Sequence, residues 1–192
     1  MPMYEDGPVS RFGTVELDEL PDDLRERLAP IVEKTGFVPN IMRALGRRPA
    51  ELRAFLDYHD ALMDSDVGLS RAERELVVVA TSGANQCPYC VVAHGAILRI
   101  RAKDSQLADH VGINPRGCDL APRQRAIVDL ALALCHDPAA FGEPDLRAAR
   151  DAGLTEDEIW DVGSIAALFA ASNRLAHLFA LRPNPEFFTM GR

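Results

Sequence analysis

Two cysteines and a histidine crowd one short stretch, QCPYCVVAHG, which spans residues 86–95. The spacing Cys87-x-x-Cys90-x-x-x-His94 is compatible with three chemistries: a metal clip, a structural disulfide or a reactive thiol pair. Structural zinc takes four protein ligands, often from a second paired motif. No second Cys-x-x-Cys or His-x-x-x-His exists here, so Cys118 or Cys135 would have to be recruited from afar. Four cysteines in 192 residues do not make a disulfide scaffold. In a reducing compartment a close pair is catalytic or metal-binding more often than structural. Cys118 and Cys135 stand alone and read as small apolar fillers. The thiol pair is the favoured reading, with zinc and a plain disulfide as the alternatives.

Pro88 is placed as a first-turn proline belongs, just inside a helix predicted to run to about Arg101. Residues four apart share a helix face, so Cys90 and His94 lie together and Cys87 lies one turn earlier on that side. Cys87 falls at the helix N-terminus, where free N–H groups and the macrodipole stabilise a thiolate. His94 could take the Cys90 proton as a base, or stand as an imidazolium beside a thiolate. A histidine working as a base needs a group to orient it, and Glu75 is the candidate. Glu75 adjoins Val77-Val78-Val79, where a carboxylate is costly to bury unless paired. The alternative is a plain surface glutamate.

The elements that must position these residues read as helical nearly throughout. Ser70-x-x-Glu73 is a capping box, and together with the segment's length it predicts a helix through the triple valine rather than a strand. Gly83 to Gln86 form the turn that folds this helix back against the one carrying the cysteines. Asp22–Lys34 has helical apolar spacing, with Gly36 as its stop and Pro30 as a possible kink. Pro39-Asn40 opens a short helix over Ile41–Leu45, and another starts at Pro49. A Gly/Asn/Pro-rich loop (Gly112–Pro122) precedes helices over Arg123–Cys135, Asp145–Ala152 and Glu156–Leu181, the last with a second capping box at Thr155-x-x-Glu158. No stretch alternates with period two, so the fold class is all-α. LSRAERELVVVATS echoes LAPRQRAIVDLALA, a hint of a duplicated helical unit in which only the first copy carries polar groups for chemistry.

Here the pattern becomes specific. Glu75, Cys87, Cys90 and His94 reproduce the E-x(11)-C-x-x-C-x-x-x-H motif of the AhpD-like alkylhydroperoxidase family, within the carboxymuconolactone decarboxylase-like superfamily. LSRAERELVVVATSGANQCPYCVVAHGAIL resembles that family's core. The match from GFVPNIMRAL to NRLAHLFALRPNPEFF is similar to its longer, uncharacterised peroxidase-related branch. The resemblance implies an AhpD-like helical bundle forming a single domain over 1–192. Its parts would be an N-terminal helical segment (about 1–65), a redox core (about 66–105) and a C-terminal helical half (about 120–192). It implies a trimer, hexamer or other homo-oligomer, with neither cofactor nor metal. By position, Cys90 would attack the peroxide, Cys87 would resolve, and His94 with Glu75 would relay protons. The substrate would be a small hydroperoxide, or a peroxiredoxin disulfide, and a lipoyl-type dithiol or protein would restore the pair. Tyr89 stands where the best-known relay of the family has a histidine, so the relay is expected to be shortened. A carboxymuconolactone decarboxylase-like enzyme and a non-enzymatic, zinc-stabilised helical oligomer are the competing functions; the decarboxylases of the superfamily lack the paired cysteines.

Composition narrows the classes further. A formal net charge of −8 argues against nucleic acid or an anionic membrane as partner. MPMYEDGPVSRFG shows no secretory pattern, and the late apolar run SIAALFAASNRLAHLFAL is interrupted by Asn173, Arg174 and His177, so the expectation is a cytoplasmic protein. That polar trio is expected to cap a buried or subunit-facing surface rather than do chemistry. His59 reads as a core or pocket-lining residue, His110 and His136 as solvent-facing, and Trp160 as core or interface.

Overall fold

The computed structural model describes residues 7–192; residues 1–6, the front of the N-terminal stretch read above for a leader, lie outside the described residues. The described residues form nine α-helices and no strand, so the fold is all-α. In chain order these are α1 (Asp22–Thr35), α2 (Asn40–Leu45), α3 (Pro49–Met63), α4 (Arg71–Ala84), α5 (Pro88–Ala102), α6 (Leu107–Ile113), α7 (Pro122–His136), α8 (Glu143–Asp151) and α9 (Glu156–Phe179).

Local chemistry sets most of these boundaries. The Ser70 hydroxyl accepts from the Glu73 amide at 3.3 Å while the Glu73 carboxylate accepts from the Ser70 amide at 2.9 Å, closing the box that starts α4. Thr155 and Glu158 do the same for α9. Gly36 ends α1 at φ +83°, a left-handed conformation that costs glycine little. Pro30 neither splits nor ends α1, which runs unbroken through it. α9 stops two residues short of the predicted Leu181, where Ala180 turns left-handed. α6 has no counterpart in the sequence reading. It is a short helix whose start is held by the Asp104 carboxylate, which accepts from the amides of Gln106 and Leu107.

α4 is the axis of the molecule. Residues Arg74 to Ser82 are all buried, and the helix packs against α5, α6, α7 and α9. Val77 and Val78 join one apolar cluster with α3, α7 and α9, whereas Leu76, Val79 and Ala80 join another with α5, α6 and α7. Each fully buried valine contributes about 1.5–3 kcal/mol through the water it escapes. A third cluster unites α1, α2 and α3 with Cys87, Tyr89, Cys90 and Ala93 of α5. α4 and α7, whose sequences echo each other, pack side by side, and only α4 leads into a cysteine-bearing helix. Trp160 is 74% exposed, so it is not a core residue; its position on the outer side of α9 is invisible in the composition of that apolar helix. Among the described residues, no helix is long and apolar enough to cross a membrane.

The end of α4 meets α6 almost backbone to backbone. A Cβ on Gly83 would lie 2.6 Å from the Gly112 carbonyl oxygen. Gly83→Ala is therefore expected to destabilise the protein by about 1–3 kcal/mol, the cost of overpacking a closed contact. Thermal unfolding checks this, with a Tm lowered by about 2–12 °C for a domain of this size. An unchanged Tm would show that α6 yields freely.

Candidate active site

The turn between α4 and α5 places the thiols. The Asn85 amide donates to the Thr81 carbonyl, that of Gln86 to Gly83, and that of Cys87 to Ser82, at 2.9–3.0 Å. Gln86 adopts φ +52°, a left-handed conformation uncommon outside glycine, and so reverses the chain directly before the first cysteine. Cys87 then stands at the N-cap of α5 with Pro88 in the first turn. Both cysteines are free thiols and almost sealed, Cys87 at 1% and Cys90 at 2% exposure.

Glu75 is buried, not a surface charge. Its Oε2 lies 2.8 Å from His94 Nδ1, and its Oε1 accepts from Arg101 Nη1 at 3.0 Å. His94 and Arg101 are seven residues apart on α5 and so share one face two turns apart. Arg101 was not singled out from the sequence; its spacing from His94 was the available signal. The carboxylate fixes the imidazole by its Nδ1, leaving Nε2 toward chemistry. Phe169 packs edge-on against that ring, with centroids 4.7 Å apart. Among the described residues, no hydrogen bond joins His94 to either sulfur. The structure thus brings Glu75 and His94 together and sets the two thiols beside each other, with Cys90 and His94 one turn apart on α5.

The sulfurs are held instead by α9. Cys90 Sγ lies 4.0 Å from Ser172 Oγ. Asn173 is fully buried; its Nδ2 donates to Ser82 Oγ at 3.1 Å and its Oδ1 accepts from Asn85 Nδ2 at 3.1 Å. Its side chain also favours ionisation of both thiols. His177 stands nearby, its Nε2 3.1 Å from the Asn85 carbonyl oxygen. The polar trio of α9 is therefore split. Asn173 is buried and, with His177, holds the α4–α5 turn through Ser82 and Asn85, while Arg174 is exposed. The signal was there, as a Ser-Asn pair inside an apolar helix, but nothing local tells which partner it faces.

These contacts divide the pair electrostatically. A hydrogen bond from Cys90 holds the Cys87 thiol down at about 7, aided by the Cys90 amide, His177 and Asn173 against the opposing effect of burial. The same hydrogen bond and burial push the Cys90 thiol well above its ordinary value. Of the two thiols, Cys87 is therefore the one whose ionisation the surroundings favour, and Cys90 the one whose ionisation they resist. Tyr89 takes no part. Its hydroxyl accepts from the Ile41 amide of α2 at 3.0 Å, and burial raises its phenol further.

The remaining candidates lie apart. Cys118 donates its thiol to the Asn114 carbonyl at 3.2 Å, and Cys135 is half-buried among residues of α7, α8 and α9. Among the described residues, no group of three or more His, Cys, Asp or Glu side chains is placed to hold a metal ion. His110 and His136 are exposed, and His59 lines the His94 side of the site.

With this geometry the chain aligns over 97% of its length with an alkylhydroperoxidase AhpD core structure, an uncharacterised peroxidase-related protein from Ralstonia eutropha JMP134. The two are 52% identical, with a TM-score of 0.93 and 98% of that chain covered. A second peroxidase-related protein, from Silicibacter sp. TM1040, is 32% identical with full coverage of both chains and a TM-score of 0.89. Residues 49–109 match the carboxymuconolactone decarboxylase family. The chain belongs to that family, in its AhpD-like, peroxidase-related branch. The debrominase Bmp8, solved with 2,3,4-tribromopyrrole, shares the fold alone at 15% identity, a TM-score of 0.78, and coverage of 95% of this chain and 94% of that one. No curated protein matches the chain.

The rate of thiol alkylation by iodoacetamide is expected to rise with pH along a limb centred near 7, because the reactive thiolate forms as pH climbs through the lowered value of Cys87. Asn173→Ala, by removing a donor, moves that limb to higher pH. A wild-type limb near 9, the value of an ordinary thiol, would show that the contacts around Cys87 do not act on it.

Proposed function

We propose that the protein is a thiol-dependent peroxidase or disulfide oxidoreductase, acting through Cys87 and Cys90 with His94 and Glu75 as the proton relay. The observation that carries this reading is the geometry: two buried free thiols at the start of α5, with Cys90 one turn from an imidazole held by a buried carboxylate. In the proposed cycle a sulfur attacks the terminal oxygen of a hydroperoxide. An S–O bond forms, the O–O bond breaks, and the alkoxide leaves with a proton as an alcohol. The second thiol then displaces water from the sulfenic acid, forming the Cys87–Cys90 disulfide. An external dithiol, of lipoyl type or on a partner protein such as a peroxiredoxin, returns two electrons by thiol–disulfide exchange. A reducing compartment, such as the cytoplasm, keeps the pair poised for this.

Which sulfur attacks is approached from two sides. The family motif supports Cys90, next to His94 in sequence, as the attacking sulfur with Cys87 resolving. The electrostatics favour the reverse, since the surroundings lower the Cys87 thiol and raise that of Cys90. Cys90 can attack once its proton passes to the Cys87 thiolate across their hydrogen bond, or to His94.

Mass spectrometry of the reduced protein after one equivalent of a small hydroperoxide is expected to show the loss of two hydrogen atoms and no added oxygen, reversed by dihydrolipoamide. A dimedone trap for sulfenic acid then separates the two orders. Label retained in Cys87→Ser and lost in Cys90→Ser assigns Cys90 as the attacker, and the opposite pattern assigns Cys87. A wild-type pair that stays reduced under peroxide sinks the peroxidase reading.

Self-association into a trimer or hexamer belongs to the same proposal, supported by Ile113, Trp160 and Val67, each more than 60% exposed. Light scattering on the eluting protein checks it, and a monomer at micromolar concentration would remove it.

A further inference from the structure

The site holds a second imidazole arranged like the first. His59 Nδ1 lies 3.0 Å from Asp60 Oδ1, and Asp60 Oδ2 accepts from Arg27 Nη2 at 2.8 Å. This repeats on α3 and α1 the sequence of groups that α4 and α5 build as Arg101, Glu75 and His94. The two rings lie 6.4 Å apart between centroids, and both pack edge-on to Phe169, at 4.7 Å for His94 and 6.2 Å for His59. Phe55 stacks on the other ring face of His59 at 6.0 Å, so the imidazole is clamped. In both rings Nδ1 is committed to a carboxylate, and among the described residues Nε2 has no protein partner. Exposure is graded along the row: Glu75 at 2%, His94 at 15% and His59 at 26% of the side chain. A histidine that only filled space would need neither an ion-paired carboxylate on its Nδ1 nor a second carboxylate-held imidazole with its centroid 6.4 Å away.

We propose that His59, fixed by Asp60 and Arg27, is a second proton carrier that exchanges protons between His94 and solvent during turnover of the thiol pair. This rests on the redox reading above. When the attacking thiol gives up its proton and the alkoxide must gain one, His94 carries the proton at the reacting atoms. His59 replenishes or drains His94 directly or through one water, which bridges imidazoles at such a separation. The two thiol protons end in the alcohol and in water, so the relay changes the rate and not the stoichiometry. The charged and titratable groups facing it are Asp60 and Asp57 on α3, Arg27 on α1, His94 and Arg101 on α5 and Glu75 on α4, whereas α9 presents the apolar Phe169.

The test compares wild type with His59→Phe and His59→Gln, each confirmed folded by circular dichroism. Turnover is followed with a hydroperoxide plus dihydrolipoamide, and separately with a small disulfide as oxidant. We expect about a tenfold lower rate in both variants, less than the roughly hundredfold or more that a proton-transfer group at the reacting atoms supplies, because His94 remains in place. Free imidazole in the buffer restores at least part of it, and the solvent deuterium isotope effect increases. Iodoacetamide alkylation keeps its wild-type pH limb, because α5 and α9 set the thiolate. Asp60→Asn, which leaves the imidazole unheld, loses less than His59→Phe. Wild-type rates in both variants, or a loss that imidazole does not restore, would overturn the relay. A wild-type protein that reduces the disulfide but not the peroxide would remove the peroxidase reading while the His59 comparison still decides the relay, and one that reduces neither removes both.

Discussion

A single buried carboxylate organises this protein. Glu75 sits in the helix whose following residues are sealed on every side, and an unpaired charge there would cost several kcal/mol in lost hydration. Both of its compensating partners, His94 and Arg101, come from α5. Only one alignment of α5 along α4 lets residues two turns apart reach the same carboxylate. The ion pairs therefore fix the register of the helical hairpin more than they add to its stability, the role best attested for buried polar groups. Once that register is set, the turn at Gln86 must deliver Cys87 to the start of α5, and the thiols have no freedom left.

The same register explains why the two sulfurs differ. Both sulfurs belong to one apolar cluster with α1 to α3, but Cys87 occupies the helix N-cap, where backbone N–H groups lack helical partners, whereas Cys90 lies inside the first turn. One position welcomes a charge and the other resists it. The hydrogen bond between them amplifies the difference, since each state of one thiol decides the other, and the pair titrates as a unit. α9 braces the arrangement through Asn173, whose side chain is bonded to Ser82 and Asn85 in the turn before Cys87.

What could be read without coordinates is what is encoded locally. Both capping boxes, the glycine stop after α1, the first-turn proline of α5 and the shared face of Cys90 and His94 each depend on a few neighbouring residues, and each appears in the structure. Glu75 was legible for a different reason: a charge beside three valines is expensive unless paired, and the expense itself pointed to a partner. Arg101, Ser172 and Asn173 were not, because their roles depend on which face α9 and α5 turn toward each other, a tertiary choice. α6 escaped because seven residues held by one aspartate carry too little periodicity to register. For Trp160 the core half of the reading fails, because bulk and aromaticity argue for burial only on average and this residue lies at the outer edge of an apolar helix.

Sealing the sulfurs while leaving the imidazoles partly open bears on the proposed chemistry. A sulfenic acid exposed to solvent is vulnerable to a second oxidant and to irreversible over-oxidation. Here the partner thiol is three residues away across a helix start, so condensation is an intramolecular step with the advantage of proximity. The competing oxidant must enter a site whose sulfurs are 1% and 2% exposed. Protons, unlike peroxides, need no open channel, only a chain of groups that can hand them on. In that proposed chemistry, a closed dithiol beside an open edge of carboxylate-held histidines would let protons equilibrate with solvent while oxidants are admitted sparingly.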